Sequence, residues 1–192
     1  KARTLEGLSS DQILLVSRGD STLRGHGYIE PFIINEELGP FDATFHVPAF
    51  LEGGRKTIQG VHFLNDIPVH KTIFARDNIF GYSTSDLPLW IQEKSNGRIS
   101  AQNVEVLNID LLDFALSSQE GMNHLLRWLL NLSENRSVVV DAENSSHLEI
   151  FAKAIQILRP QKRFLFRSAA SLLNRLANLP AQQKYPKDFS AL

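Results

Sequence analysis

The chain contains 192 residues, with a formal net charge of −1, 43% hydrophobic residues and no cysteine. This composition is typical of a globular domain and argues against a disordered chain, a collagen or a disulfide-stapled miniprotein. The lack of cysteine excludes thiolate metal sites and cysteine nucleophiles, and it favours a reducing, cytoplasmic environment. No apolar run approaches the roughly 20 residues of a membrane-spanning helix, so we expect no membrane contact.

Predicted strands and helices alternate along the chain. In chain order they are a strand over 12–17, a helix over 28–38, a strand over 43–47, a hairpin over 57–72, a helix over 86–94, a strand over 104–109, a helix over 119–132, a strand over 136–140, a helix over 146–158, a strand over 163–166 and a helix over 168–178. The hairpin is expected to turn at Asn65-Asp66. Ser85 or Asp86 is expected to cap the second helix, and Ser145 or Ser146 the fourth.

This alternation predicts an α/β fold, with a mostly parallel sheet, helices on both of its faces in a Rossmann-like three-layer arrangement, and a β-hairpin projecting near residues 57–72. The length fits a single domain over residues 1–192. Ligands of such sheets bind beyond the carboxyl ends of the strands, so the loops that follow strands are the first places to search for a site.

Charge is unevenly distributed. From Phe151 onward there are eight basic residues and one acidic residue, a local balance of +7, which leaves −8 for the preceding part. A solvated or interdomain face explains this best, because the cations are interleaved with apolar residues at helix and strand spacing. A face turned toward an anionic ligand or an acidic partner domain is the alternative. We expect no binding of nucleic acid, since no RNA-binding aromatic motif accompanies the cations.

The polar stretch over residues 17–27 is the most informative part of the sequence. It follows a predicted buried strand, and its glycines, including Gly25, let a ligand approach the backbone closely. Ser21 and Thr22 offer hydroxyl groups, and Arg24 offers a planar fork suited to a carboxylate or phosphate. These features indicate an anion site; a tight turn in which Asp20 satisfies the local backbone explains the composition equally well.

A second glycine-containing stretch follows the predicted strand over 43–47. Gly53 and Gly54 allow the backbone to turn, and Arg55 could bring a second guanidinium to the same edge as Arg24. Two converging arginines favour a small acidic ligand. The alternative is a loop that enters the hairpin with an exposed arginine.

The histidines show no tight metal-ligand spacing, so we predict no metal site. His26 and His62 lie in or near the glycine-containing stretches and are candidates for lining a cleft. His46 alternates within a strand, which is typical of a structural residue, and His124 and His147 are expected to face solvent from helices. No nucleotide-binding loop motif is present.

The group Asp141-Ala142-Glu143 follows a β-branched strand. A carboxylate at this position could face the cleft, but helix capping is the simpler explanation. The sequence identifies no catalytic residue.

At its motifs the sequence resembles the four-carbon acid sugar kinase family, specifically the N-terminal, sugar-acid-binding domain. The signature Asp-Ser-Thr-Leu-Arg-Gly is complete at residues 20–25. Further matches occur in order at residues 48–50, 54–57, 60–62, 74–77, 85–86, 141–143 and 166–171. The series spans most of the chain. Relatives often have Lys before the signature and Asn after it, where this chain has Arg18-Gly19 and His26, so the substrate could differ.

This resemblance implies ATP-dependent, Mg²⁺-dependent phosphorylation of a hydroxyl group on a threonate, erythronate or keto-tetronate. It implies that ATP is bound by a separate C-terminal domain, which would be the partner of this segment in a two-domain kinase. The family's opening Asp-Asp-x-Thr-Gly motif is absent, so a strand and a helix are expected before Lys1. The segment alone is expected to bind the sugar acid without catalysing; a homo-oligomer is compatible with the sequence.

The resemblance also suggests roles for individual residues. Arg24 and Arg55 would pair with the carboxylate, and Asp20 and Ser21 would bind hydroxyl groups. Either His26 or His62 would line the cleft. The substrate-binding set that follows is Asp20, Ser21, Thr22, Arg24, Gly25, His26, Gly54, Arg55 and His62. A non-catalytic sugar-acid-binding or protein-interaction module that keeps the fold is the alternative function.

Overall fold

Eight strands and six α-helices lie within residues 13–177, the part of the chain that the structure, a computed structural model, describes. The strands are β1 (Leu15–Arg18), β2 (Ala43–Val47), β3 (Arg55–Ile58), β4 (Val61–Leu64), β5 (Ile67–Pro68), β6 (Glu105–Leu107), β7 (Arg136–Val140) and β8 (Phe164–Ser168). The helices are α1 (Ile29–Leu38), α2 (Leu87–Lys94), α3 (Ile109–Ser117), α4 (Gln119–Leu130), α5 (Ser145–Leu158) and α6 (Ala170–Leu176). No helix in the described residues is long and apolar enough to cross a membrane.

Five parallel strands form the main sheet in the order β1-β8-β2-β7-β6. Side chains alternate between its two faces. On one face, Phe45 and Phe166 pack into the larger core together with apolar residues of α3, α4, α5 and α6. On the opposite face, Val139 packs with Leu87 and Trp90 of α2 in a smaller core. The predicted α/β class with helices on both faces is therefore confirmed.

The projecting unit is a three-stranded antiparallel meander, β3-β4-β5, where a two-stranded hairpin was expected. The expected turn at Asn65-Asp66 is present, and both residues have positive φ angles of 46° and 65°. The run over 57–64 is itself broken by a turn at Gln59-Gly60. This extra turn forms because its backbone N–H groups bind the carboxylate of Asp141, a contact between residues far apart in the sequence.

Helix α3 was not predicted. The apolar run over 104–109 was interpreted as one strand, but β6 ends at Leu107 and Asn108 caps a helix by accepting a hydrogen bond from the Leu111 N–H. The expectation that His147 faces solvent was wrong for the same reason. Its ring is buried beneath α3, where Nε2 lies 2.9 Å from the Asp113 carboxylate.

Two other boundaries differ from the predictions. Helix α5 is capped by Asn144, which accepts from the N–H groups of Ser146 and His147, and not by Ser145 or Ser146. Strand β8 runs on to Ser168, so α6 begins only at Ala170. Asp86 caps α2 as expected. The predicted ends at residues 12 and 178 lie outside the described residues.

Candidate functional site

A row of polar side chains crosses one face of the sheet near its carboxyl edge. Ser17 of β1, Arg167 of β8 and His46 of β2 are direct neighbours in the strand register. All three are buried. Side chains alternate along a strand, so the residues immediately before and after each of these three point to the opposite face. The three polar side chains therefore lie on the same side of the sheet as α2.

Arg167 is the charged centre of this row and is only 8% exposed. Its Nη1 donates hydrogen bonds to Ser17 Oγ at 2.6 Å and to the Arg18 carbonyl at 3.2 Å, and it forms an ion pair with the Glu30 carboxylate of α1. We call residues 19–25 the signature loop. The rest of the Arg167 guanidinium lies against this loop, with Nε beside Gly19 and Nη2 beside Gly25. Gly25 has a φ angle of +97°, a conformation that favours glycine.

His46 is 5% exposed, and its Nδ1 atom has no hydrogen-bond partner among residues 13–177. Burial and the positive charge of Arg167 lower the pKa of His46 to about 3. The imidazole is therefore neutral at physiological pH. It presents a polar edge without adding a second positive charge beside Arg167.

The signature loop holds Arg24 in a defined orientation. Asp20 accepts hydrogen bonds from the Thr22 hydroxyl at 2.6 Å and from Arg24 Nε at 2.7 Å. Burial by itself raises the pKa of Asp20, but the bonds from Thr22 and Arg24 outweigh it and hold the pKa below its usual value. Asp20 is therefore ionised, and it holds Arg24 through Nε. Among residues 13–177, no group bonds to the terminal Nη1 and Nη2 of Arg24.

These elements surround a narrow cavity of about 20 Å³. Its walls come from the residues that follow β1, β2 and β8, which are neighbouring strands of the sheet, and from α2. Polar lining residues are Asp20, Arg24, His46, Trp90, Arg167 and Ser168. The indole Nε1 of Trp90 is buried and, like His46 Nδ1, has no hydrogen-bond partner in the part of the chain that the structure describes. We call this space the signature cavity.

The second predicted arginine lies elsewhere. Arg55 and Gly54 line a separate cavity of about 200 Å³ between β3 and the Asn65-Asp66 turn. The Arg55 guanidinium donates to the Gly53 carbonyl at 2.5 Å and lies over the Phe50 ring. The structure thus places Arg24 and Arg55 on different cavities, and the signature cavity contains Arg167 as its second guanidinium.

The two loops are nevertheless connected through His62. This residue is completely buried, with Nε2 at 2.8 Å from the Ser21 carbonyl and Nδ1 at 2.9 Å from the Thr57 hydroxyl. The carbonyl can only accept, so Nε2 carries the proton and Nδ1 accepts from Thr57. Burial lowers the pKa of His62 to about 4. His26 is exposed and contacts Phe80 edge-on.

Asp141 does not cap α5, the helix that follows it, because Asn144 does; this corrects the simpler of the two expectations for this group. It lies at the carboxyl end of β7 and accepts hydrogen bonds from the N–H groups of Gln59 at 2.7 Å and Gly60 at 2.9 Å. Burial raises its pKa, although these bonds act in the opposite direction. A bridge between Thr57 and Ala142 adds to this attachment, so the meander is fixed to the edge of the sheet.

The described residues do not bring metal-ligating side chains together. No group of three or more His, Asp and Glu side chains within residues 13–177 could hold a metal. Most cations of the basic C-terminal part that lie within residues 13–177 already have partners. For example, Lys162 pairs with Asp42, and Arg175 pairs with Glu149. The chemistry that the signature cavity supports is the binding of a small ligand with a carboxylate and several hydroxyl groups.

Sequence reasoning missed three residues of the signature cavity. Arg167 belongs to one of the motif matches and stands at the end of a strand, which is a signal that could have identified it. His46 was interpreted as structural, and Trp90 was not considered. Nothing in the sequence shows that their ring nitrogens would be left without partners.

Comparisons with known proteins agree with this geometry. The family described as "Sugar-binding N-terminal domain" matches residues 2–176. A Bordetella bronchiseptica protein, described as a domain of unknown function (DUF1537) with bound citrate in a domain-swapped dimer, is 26% identical with a TM-score of 0.65, over 85% of this chain and 36% of its own. A Haemophilus influenzae protein of the same family shares the fold at 17% identity and a TM-score of 0.66, over 92% of this chain and 40% of its own.

The chain thus spans less than half the length of either structure that it matches. A comparison with curated proteins gives no match. Both structural relatives are proteins of the four-carbon acid sugar kinase family, which confirms the resemblance carried by the motifs. With its family match extending over residues 2–176, the chain belongs to the family of sugar-binding N-terminal domains.

Proposed function

We propose that this chain is the substrate-binding part of an ATP-dependent kinase that phosphorylates a hydroxyl group of a four-carbon sugar acid such as threonate, erythronate or a keto-tetronate. One observation carries the proposal. The signature cavity combines an ionised Asp20 and the Arg167 guanidinium with Arg24, whose terminal amino groups bond to no group among residues 13–177, at the carboxyl edge of a parallel sheet.

The chemistry of a sugar acid matches this set of groups. Its carboxylate fits the Nη1 and Nη2 edge of Arg24, because a guanidinium binds a carboxylate through two parallel hydrogen bonds. Its hydroxyl groups can donate hydrogen bonds to the Asp20 carboxylate. The citrate in the Bordetella structure is likewise a compound with carboxylates and a hydroxyl group.

ATP and Mg²⁺ belong to the same proposal, but no step is assigned to them on this chain. In the proposed enzyme a second, C-terminal domain supplies them. Phosphoryl transfer depends mainly on positioning and on charge stabilisation, so a domain that fixes the acceptor hydroxyl provides one half of the reaction geometry. We expect the isolated chain to bind a sugar acid without consuming ATP.

Isothermal titration calorimetry of the 192-residue chain tests this function. Threonate and erythronate are the ligands, and threitol and erythritol, which carry the hydroxyl groups without the carboxylate, are the matched controls. We expect the acids to bind at least tenfold more tightly than the polyols. Equal affinity for acid and polyol, or binding of none of the four, contradicts the proposal. Phosphorylation itself is measured with the longer gene product, by ³¹P NMR of the sugar acid.

A further inference from the structure

Two buried side chains from outside the signature loop bind its backbone. His62 of β4 is completely buried, and its Nε2 donates to the Ser21 carbonyl at 2.8 Å. Tyr82 is 7% exposed, and its hydroxyl donates to the next carbonyl of the loop, that of Thr22, at 2.6 Å. Burial raises the pKa of Tyr82, so the hydroxyl stays protonated and can donate. Two consecutive carbonyl groups of the loop are thus bound by residues 41 and 60 positions away in the sequence.

The loop needs this support because its backbone is strained beside these carbonyls. Leu23 has a φ angle of 66°, in the left-handed region that residues other than glycine rarely adopt. Such a conformation persists only where the surrounding structure holds it. The Leu23 side chain is buried in the smaller core, and the two carbonyl bonds fix the two peptide groups that precede it. The conformation of the loop therefore depends on His62 and Tyr82 as well as on its own sequence.

Thr22 connects this support to the charged side chains of the loop. Its N–H and its hydroxyl both donate to the Asp20 carboxylate, at 3.1 and 2.6 Å. The same carboxylate accepts from Arg24 Nε at 2.7 Å, and Arg24 Nε also lies 3.1 Å from the Thr22 hydroxyl oxygen. A shift of the Thr22 peptide group would therefore move both acceptors that orient Arg24.

The two supporting residues are themselves fixed and stand apart from the ligand. The His62 N–H donates to the Ser85 carbonyl at 2.8 Å, and the Tyr82 N–H donates to the Ala75 carbonyl at 3.2 Å. The Tyr82 ring packs in the smaller core. His62 and Tyr82 are not among the residues that line the signature cavity, so any effect that they have on a ligand passes through the loop.

We propose that His62 and Tyr82 are positioning residues, which hold the signature loop through the Ser21 and Thr22 carbonyls so that Arg24 is preorganised for the carboxylate of the sugar acid. The proposal deepens the proposed function and rests on it for the identity of the ligand. Preorganisation favours binding because a group that is already held in place loses less conformational freedom when it meets its ligand.

Hydrogen-exchange NMR of the Arg24 Nε–H group tests the positioning without a ligand. In the ¹⁵N-labelled 192-residue chain, the bond to Asp20 should slow exchange of this proton with water, and Arg24→Lys identifies its signal. We expect Tyr82→Phe and His62→Leu each to speed up the exchange by roughly fivefold, the effect of one hydrogen bond. His62→Gln, which keeps a donor near the position of Nε2, should restore most of the wild-type rate. Tyr28→Phe, which removes a hydroxyl outside the loop, is the matched control.

Calorimetry with threonate measures the consequence for binding. We expect Tyr82→Phe to weaken the affinity by roughly fivefold, because Arg24 is less well held. In the background of Arg24→Ala the same substitution should have little further effect, since two residues that act through one contact are not additive. A purely structural role would weaken binding equally in both backgrounds, and that result overturns the inference while the proposed function stands.

The exchange measurement keeps the two proposals separable. If the chain binds no sugar acid, the proposed function is contradicted, and the exchange rate of the Arg24 Nε–H group alone decides whether the loop is positioned as we infer. An unchanged rate in both Tyr82→Phe and His62→Leu overturns the inference. Urea unfolding shows which variants fold, and Tyr82→Phe, which retains the aromatic ring, provides the result if His62→Leu does not fold.

Discussion

Asp20 accepts a hydrogen bond from Arg24 Nε at 2.7 Å, so the guanidinium is held through Nε and not through its terminal amino groups. This arrangement separates two tasks. Asp20 and Thr22 orient the arginine, and the arginine presents its two-pronged edge to a ligand. A carboxylate that binds there meets a group whose rotamer is already restricted.

Replacement of Arg24 tests the carboxylate contact. We expect Arg24→Ala to weaken threonate binding by about 2 kcal/mol, roughly 30-fold, the lower end of the cost of truncating a charged contact, because the side chain is partly exposed. Arg24→Lys should recover only part of the affinity, since an ammonium group cannot form the two parallel bonds. Calorimetry measures both variants, with the exposed Arg98→Ala as a matched control. Unchanged affinity in Arg24→Ala would show that the ligand carboxylate does not bind to Arg24.

The ion pair between Glu30 and Arg167 sets the net charge inside the cavity. Glu30→Gln keeps a hydrogen-bonding oxygen at this position but removes the negative charge that offsets the positive charge of Arg167. We expect threonate to bind several-fold more tightly and with a steeper dependence on ionic strength. Titrations at low and high salt measure the effect. Glu149→Gln, which removes the partner of Arg175 away from this cavity, should leave the affinity unchanged; weaker binding in Glu30→Gln would contradict the explanation.

Gly27 is required because the Trp90 ring occupies the space of a side chain at this position. A methyl group at position 27 would overlap the indole, so we expect Gly27→Ala to lower the free energy of unfolding by about 1–3 kcal/mol. Urea denaturation measures the change. In the background of Trp90→Leu the same substitution should cost much less, because the overlapping ring is gone. Additive effects of the two substitutions would show that the contact does not determine the choice of glycine.

The buried histidines make stability depend on pH. The pKa of His62 is about 4 in the folded chain and 6.5 for an unperturbed histidine, so the unfolded state binds a proton that the folded state does not between these values. The stabilisation is complete above pH 6.5 and is lost as the pH falls toward 4, by up to about 1.4 kcal/mol for each pH unit. His46, with a pKa of about 3, acts in the same direction.

Urea denaturation at pH 7, 6 and 5 checks this dependence. His62→Gln should flatten the loss of stability on acidification, whereas His124→Gln, at an exposed position on α4, should reproduce the wild-type profile. The same slope in His62→Gln and in the wild type would show that His62 is not responsible.

The main sheet was predictable because its strands are short apolar runs separated by helices with clear starts. Helix α3 was not, because the apolar residues of β6 and the first turn of α3 follow one another with only Asn108 between them. The second turn of the meander was missed for a different reason. Its stabilising partner, Asp141, lies more than 80 residues away in the chain, so no local pattern reveals it.

The candidate site was predictable in part. The Asp20–Arg24 loop could be identified because its residue types and its place after a strand are both local features. The separation of Arg24 from Arg55 could not, because it depends on where the meander attaches to the sheet. His46 was correctly expected in a strand, but strand periodicity shows only that a side chain is buried. It does not show which of its atoms lacks a partner.

Strand β8 is the last strand within residues 13–177, yet it lies between β1 and β2, the first two strands of that range. During synthesis, a nascent chain that has left the ribosome only as far as residue 163 lacks the strand that separates β1 from β2, and it lacks Arg167. The signature cavity is therefore incomplete in such a chain, and a ligand cannot stabilise it early in folding. A chain truncated before residue 164 should lose both its affinity for the sugar acid and its cooperative unfolding, because the segment that contains β8 and Arg167 is needed for both.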